Sequence, residues 1–299
     1  MSDQKTLIHL FESSVEKYPD NPLFRDKQNT AYQKMTYREA KNAVERTAAG
    51  LMKMGLKHGE RVILLSEGRN EWVISELSVL YCGAINVPLS VKLKEVSELK
   101  FRCEHSAARF AFVSASQLEK LLTIKNMLAN LDKIIVLDQI ETDDPDVMTI
   151  QELRALGDEF LLNHKDEFIN RWQSVQENDA ANICYTSGTT ADPKGIVLTH
   201  RNYTSNVEQA EALYDIPEYY VSLLILPWDH AFAHTAGIYT LMANGASMAA
   251  VQIGKTLLET TRNIGINIKE TQPHFLLSVP ALSSNFKKNI EKELKAKIG

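Results

Sequence analysis

Residues 185–195 read YTSGTTADPKG and stand between two apolar runs, Ile183–Cys184 before and Ile196–Leu198 after. Five hydroxyl side chains, two glycines and one lysine in this stretch are more donors than a chain reversal needs. Their shared chemistry is anion binding. Backbone N–H groups in a tight glycine-containing loop converge on an anion. Ser and Thr hydroxyls add neutral donors, and a lysine ammonium supplies a point charge for phosphate oxygens. The loop is built as a polyphosphate cradle. Pro193 stiffens it just before Lys194, and Gly195 is expected to let the chain turn sharply into the next strand. An ordinary turn explains any one of these hydroxyls but not the set.

The nearest general template, G-x-x-x-x-G-K-[ST], fails. Counted from Gly188 its lysine falls on Lys194, but Pro193 replaces the second glycine and Gly195 replaces the hydroxyl. A second cluster, 226-LPWDHAFAHTAG-237, places His230 and His234 four residues apart on one helix face. A zincin pair needs Glu after the first His, and Ala231 stands there with no third ligand nearby. His234 therefore reads as a hydrogen-bonded histidine at a helix start, Asp229 as the N-cap of that helix, and Phe232 as core. Trp228 reads as core or as the lining of an apolar pocket.

These segments need elements to position them. Helical spacing of apolar residues predicts helices over 6–17, 35–55, 70–83, 94–107, 116–131, 200–214, 230–245 and 255–265, and a charged one from Ala281. Short apolar runs predict strands over 61–66, 84–89, 109–114, 133–138, 181–186, 221–227, 246–251 and 274–279. Such alternation is the signature of parallel sheets covered on both faces, an α/β fold. The acidic run 139–147 reads as a solvated loop, and 164–179 as a polar link between two sheets. The expected division is a first α/β subdomain over 1–172 and a second over 173–299 that carries the hydroxyl-rich loop.

Bulk properties narrow the function. The 299 residues suit roughly two domains. Lys+Arg number 33 against 38 Asp+Glu, a formal charge of -5, which argues against a nucleic-acid partner. Cys82, Cys103 and Cys184 are scattered and form no C-x-x-C pair, as reduced thiols would be. The charged N-terminus lacks a signal-peptide core, so a cytoplasmic location is expected. Contact with a membrane surface and the oligomeric state are left open.

The loop 185-YTSGTTADPKG-195 resembles the phosphate-binding signature of the adenylate-forming (AMP-binding) superfamily, which includes acyl-CoA synthetases, aryl-CoA ligases, luciferases and peptide-synthetase adenylation domains. Residues 36–89, with the Val87-Pro88-Leu89 turn, are similar to that family's opening subdomain. The stretch 226–237 resembles its second core motif, and 272–286 the strand and helix before its adenine-contacting motif. Together these look most like the N-terminal portion of a fatty-acyl-CoA synthetase, with two stacked, mostly parallel sheets and helices between and outside. Ala191 departs from the family's usual glycine.

The resemblance implies two half-reactions. A carboxylate attacks the α-phosphorus of ATP to give acyl-AMP and pyrophosphate, and a thiol, usually CoA, then displaces AMP. Thr186, Ser187, Gly188, Thr189, Thr190 and Lys194 would hold the β- and γ-phosphates. Thr186 would also approach Mg²⁺ together with a Glu beyond the C-terminus. His230 would lie near the carboxylate of the fatty acid, with Trp228 on the acyl side. The family's Tyr-Gly-x-Thr-Glu motif, its ribose-gripping Asp and its small C-terminal domain with the adenylation lysine are not in this text. The expectation is an N-terminal part of a ligase that has little turnover alone. Two alternatives stand: a non-catalytic nucleotide- or acyl-binding module, and a ligase for an aryl or other carboxylic acid. CoA or a carrier protein would accept the acyl group.

Overall fold

The computed structural model describes residues 5–186, 193–254, 256–278, 284, 287, 288 and 291. The chain starts with α1 (Leu7–Lys17), β1 (Pro22–Gln28), β2 (Ala31–Thr36), α2 (Tyr37–Lys53), β3 (Arg61–Leu65), α3 (Asn70–Tyr81), β4 (Ile85–Pro88) and α4 (Val96–Ser106). It goes on through β5 (Phe110–Val113), α5 (Ala115–Ile124), β6 (Lys133–Val136), β7 (Val147–Thr149), α6 (Ile150–Gln173), β8 (Ala180–Tyr185), β9 (Gly195–Thr199) and α7 (His200–Leu213). After β10 (Val221–Leu224) comes a π-helical run, Ala233–Tyr239, continued by α8 (Thr240–Ala243), then β11 (Ser247–Ala250) and α9 (Leu257–Thr271).

The strands form two sheets. One has four strands in the order β10-β11-β1-β2, the other seven in the order β7-β6-β5-β3-β4-β8-β9. All neighbours are parallel except β1–β2 and β8–β9. Strand residues alternate between faces, and the core clusters show where each face goes. In β3, Val62 and Leu64 join the main core with α1, α2, α3 and α6, whereas Ile63 and Leu65 join a separate cluster with α4 and α5. In the smaller sheet, Leu224, Met248 and Ala250 enter the main core, while Val221, Leu223 and Ala249 face Ile268 of α9. The result is two stacked sheets with helices between and outside. α3 sits at the centre, buried from Trp72 to Tyr81, which is why its text is apolar all round.

Where strand order reverses, between β3 and β5, an open α/β sheet usually leaves a ligand crevice at the carboxyl ends. Here Glu67 fills it. Its carboxylate accepts from Ser114 Oγ (2.7 Å), Ser116 Oγ (2.8 Å) and Gln117 Nε2 (2.6 Å), at the start of α5. Those hydrogen bonds outweigh burial and hold the Glu67 carboxyl below the usual range.

Several expectations change. The hairpin β1–β2 carries too many charged and amide residues to be read as strand, and half of β2 is exposed. The polar segment 164–173 is not a link but the second half of α6, opened by a Thr149–Glu152 capping box and non-helical only at His164. Residues 274–278 form no strand; Ser222 and Phe275 make a single bridge. Nor do the sheets divide at 172/173: β8 and β9 complete the sheet begun by β3, and β1 pairs with β11. Gly195 makes no sharp turn. It is absent from the residues with positive φ, and a Cβ on it would sit 2.9 Å from Ile183 Cγ2, so it is small for packing across β8–β9.

Candidate active site

The hydroxyl-rich loop hangs from the carboxyl end of β8, which pairs in parallel with β4 through Asn86 and Asn182. β9 brings the chain back antiparallel, with Tyr185 opposite Gly195. One bond closes the loop's base, from the Thr186 N–H to the Lys194 carbonyl at 3.1 Å. Both residues are exposed at its mouth. Ser187, Gly188, Thr189 and Thr190, with Ala191 and Asp192, lie outside the described residues. α4 anchors the base from the other side. The Tyr185 hydroxyl is 2.9 Å from His105 Nδ1 and donates to the Arg102 carbonyl at 3.2 Å. Burial pushes this phenol up to about 12, so it stays a neutral donor.

The second motif forms a turn at the end of β10. Trp228 is buried, its indole edge-on to Trp72 at 5.9 Å. Gly68, in the loop after β3, lies against it: a Cβ there would come within 2.4 Å of Trp228 Nε1. Gly68→Ala should therefore displace Trp228 and cost about 1–3 kcal/mol by overpacking. A blue-shifted tryptophan emission like that of the wild type, with an unchanged urea midpoint, would refute this. His230 is exposed, and its carbonyl accepts from Ala233 N–H (2.9 Å) and His234 N–H (3.2 Å). His230, not Asp229, opens the helix. Phe232 is 60% exposed rather than core, because it lies on the outward side of this first turn.

Phe232 borders a groove of about 560 Å³ between α7 and the π-helical run, with Tyr203, Ala210, Leu213, Thr235 and Ala236 along its sides and Leu198 of β9 at one end. Its volume is that of an ordinary small-molecule site. Leu213 and Phe232 expose large apolar surfaces along it.

Beneath both motifs runs a buried polar cluster that the sequence text does not single out. Glu76 of α3, Asn86 of β4, Asn182 of β8 and His234 are each 0% exposed, and Tyr203 of α7 is 2% exposed. Asn86 Nδ2 and Asn182 Nδ2 both donate to Glu76 Oε1 at 3.1 Å. His234 Nδ1 lies 3.2 Å from the Tyr203 hydroxyl, 3.4 Å from Asn182 Nδ2 and 3.6 Å from Glu76 Oε1. So His234 is hydrogen-bonded as expected, and it points inward while His230 is exposed; the two imidazoles do not share one site. The signal that could have found Glu76 is a lone acid inside the apolar helix WVISELSVLY.

Cys184, adjoining the cluster, sits 3.9 Å from the Tyr203 hydroxyl. Burial, aided by the Glu76 and Asp229 carboxylates, pushes its thiol up to about 11, which leaves it unreactive at neutral pH. Among the described residues no group of three His, Cys, Asp or Glu is arranged to hold a metal ion. Thr186 offers one neutral oxygen, which does not by itself make a Mg²⁺ site. Among the described residues, no helix is long and apolar enough to cross a membrane.

Comparison with known proteins agrees with this geometry. Residues 11–297 match the family described as AMP-binding enzyme. A long-chain-fatty-acid–CoA ligase (ACSBG2) of Xenopus laevis is 27% identical over 285 residues, covering 92% of this chain and 37% of the relative. A chloroplastic long-chain-fatty-acid–[acyl-carrier-protein] ligase (AEE15) of Arabidopsis thaliana is 26% identical over 309 residues, covering 99% of this chain and 41% of the relative. The chain thus spans about two-fifths of the length of these relatives. The anthranilate CoA ligase AuaEII, solved in complex with anthranoyl-AMP, superposes with a TM-score of 0.77 at 18% identity, over 92% of this chain and 50% of its own, and so shares the fold. The family match runs almost from end to end, takes in both the hydroxyl-rich stretch between β8 and β9 and the Leu-Pro turn ending in His230, and places this chain in the AMP-binding enzyme family.

Proposed function

We propose that this chain is the nucleotide-tail- and acyl-binding portion of an ATP-dependent acid–thiol ligase, which joins a long-chain fatty acid to AMP and then to CoA. One observation carries the reading: the loop base closed by Thr186 and Lys194 stands at the carboxyl edge of β8, and Leu198 of β9, the strand leaving that loop, reaches an apolar groove of acyl-chain size. The identity of the curated relatives supports a fatty acid over other acids.

In this reading Lys194, Thr186, Ser187, Gly188, Thr189 and Thr190 hold the β- and γ-phosphates of ATP, which brings Mg²⁺ with it. His230 faces the acyl carboxylate. Trp228, held by Gly68 and Trp72, is the rigid wall behind His230 rather than a contact on the chain, and the chain lies along Phe232, Thr235 and Ala236. Attack of the carboxylate on the α-phosphorus gathers negative charge, so the protein's work is positioning and electrostatic stabilisation. Residues 1–299 alone are expected to bind these ligands without turning them over; acyl-AMP formation by this chain would overturn that part.

The test is calorimetric titration of the chain with magnesium tripolyphosphate and, separately, with palmitate and benzoate. Lys194→Ala should weaken tripolyphosphate by roughly 10- to 100-fold, the worth of a charge-assisted hydrogen bond, and leave palmitate unchanged. Equal tripolyphosphate affinity in the variant would sink the phosphate assignment. Tighter binding of benzoate than palmitate would redirect the acid class to aryl substrates.

A further inference from the structure

The buried cluster under the two motifs has a feature that packing alone does not account for. Glu76 Oε2, Asn86 Oδ1, Asn182 Oδ1 and His234 Nε2 are buried with no hydrogen-bond partner among the described residues. Unpaired buried polar atoms are costly, and an apolar cluster of the same volume is often as stable or more so. What the polar version supplies is a fixed arrangement. It ties three elements together: α3 through Glu76, β8 through Asn182, and the π-helical run through His234.

The placement of these atoms along the chain is informative. Asn182 and Cys184 lie on the same face of β8, both against Tyr203, and Thr186 is the next position in that alternation. His234 sits one turn beyond His230 and donates its own N–H to the His230 carbonyl. The π-helical widening of Ala233–Tyr239 begins at the turn that carries His234, and such widenings often mark functional positions. From Thr186 to His230, the connection therefore runs along β8, across Asn182 and His234, and back one turn.

We propose that His234 is a positioning residue: through Glu76 and Asn182 it locks the turn carrying His230 to the strand carrying the phosphate loop, so that carboxylate and nucleotide bind in one relative placement. This rests on the ligase reading above. The acceptor oxygen of Glu76 is the part that matters, because it aligns both asparagine amides. A gap of even an ångström between the reacting groups costs heavily in rate, and the cluster removes the freedom that would open it.

The consequence is thermodynamic linkage between the two ligands, which a purely structural cluster would not produce. In the 299-residue chain, MgATP should tighten palmitate at least about fivefold. Glu76→Leu and the ring-conserving His234→Phe should bring that factor to one while each ligand alone binds within about threefold of wild type. Glu76→Gln, which keeps the acceptor oxygen, should retain the linkage. Linkage that persists in either apolar variant, or that is lost in a folded Glu76→Gln, overturns the proposal; should Glu76→Leu fail to fold, His234→Phe decides. If the wild type binds both ligands without linkage, the positioning role alone is wrong. If it binds neither, the ligase reading itself has failed.

Discussion

Gly157→Ala should lower the stability of the protein by about 3 kcal/mol or more, which in a chain of this size is a fall of roughly 5 °C in melting temperature. The sign is unusual. Glycine to alanine within a helix ordinarily gains up to about 1 kcal/mol, through helix propensity and a less floppy unfolded chain. Here α6 crosses α2 with backbone against backbone. A Cβ on Gly157 would fall 1.8 Å from the Arg46 carbonyl oxygen and 2.9 Å from the Gly50 nitrogen. The contact is reciprocal, since a Cβ on Gly50 would fall 2.3 Å from the Leu153 carbonyl oxygen. No flexible side chain can yield, so the helices must separate. Separation would also strain the flanking bidentate pair of Arg46 and Asp158, at 2.6 Å for both bonds. Thermal melts and urea titrations of Gly157→Ala and Gly50→Ala measure the effect. A melting temperature within 2 °C of wild type for Gly157→Ala would contradict this account of the crossing.

The second large effect is on pH. His200, at the start of α7, is buried, and its Nδ1 accepts the Leu7 N–H at 3.3 Å, joining α7 to the start of α1. Burial, opposed by Asp179 and reinforced by His9 and His58, lowers its pKa from 6.5 to about 4. The unfolded chain therefore binds a proton below pH 6.5 that the folded chain refuses until about pH 4. Where the unfolded state holds more protons, stability rises with pH. The contribution of His200 is thus fully present above pH 6.5 and is lost as pH falls through that window. A shift of this size corresponds to about 3 kcal/mol. Urea titrations at pH 7, 5.5 and 4 on the wild type and His200→Gln isolate it, because carboxylates elsewhere titrate equally in both. The wild type should lose about 3 kcal/mol more than the variant between pH 7 and pH 4. Parallel curves would show that His200 is solvated or already charged when folded.

The parts of this fold that could be read from sequence are those with a local cause. Thr36 and Glu39 announce the start of α2 by a capping box, and Gly55 ends it at φ +83°. The interior strands β3, β5 and β6 read as short apolar runs because both faces are covered. The hydroxyl-rich loop stands out in the sequence because its side chains are consecutive. What stayed hidden depends on partners far along the chain. β1 and β2 carry Arg25, Asp26 and Lys34, and it is pairing, of β1 with β2 and with the distant β11, that makes them strands. Residues 164–173 look like a linker because α6 is exposed over much of that half. The Glu76 cluster draws one residue from each of five elements, a convergence that no window of sequence contains. Phe232 departs from its core reading for a related reason: an aromatic close to buried Trp228 looks like core, and only the outward side of a helix turn shows that it borders a groove.

The pairing of β1 with β11 also bears on how the chain is made. Phe24 meets Met248, so at a ribosomal pace of about 5–20 residues per second the first strand waits roughly 10–45 s for its neighbour to be synthesised. During translation the edge of β1 that will meet β11 is open, the kind of surface that pairs with other chains. A chaperone holding the emerging hairpin would shield that edge, and synthesis slowed between residues 36 and 247 would lengthen the exposure.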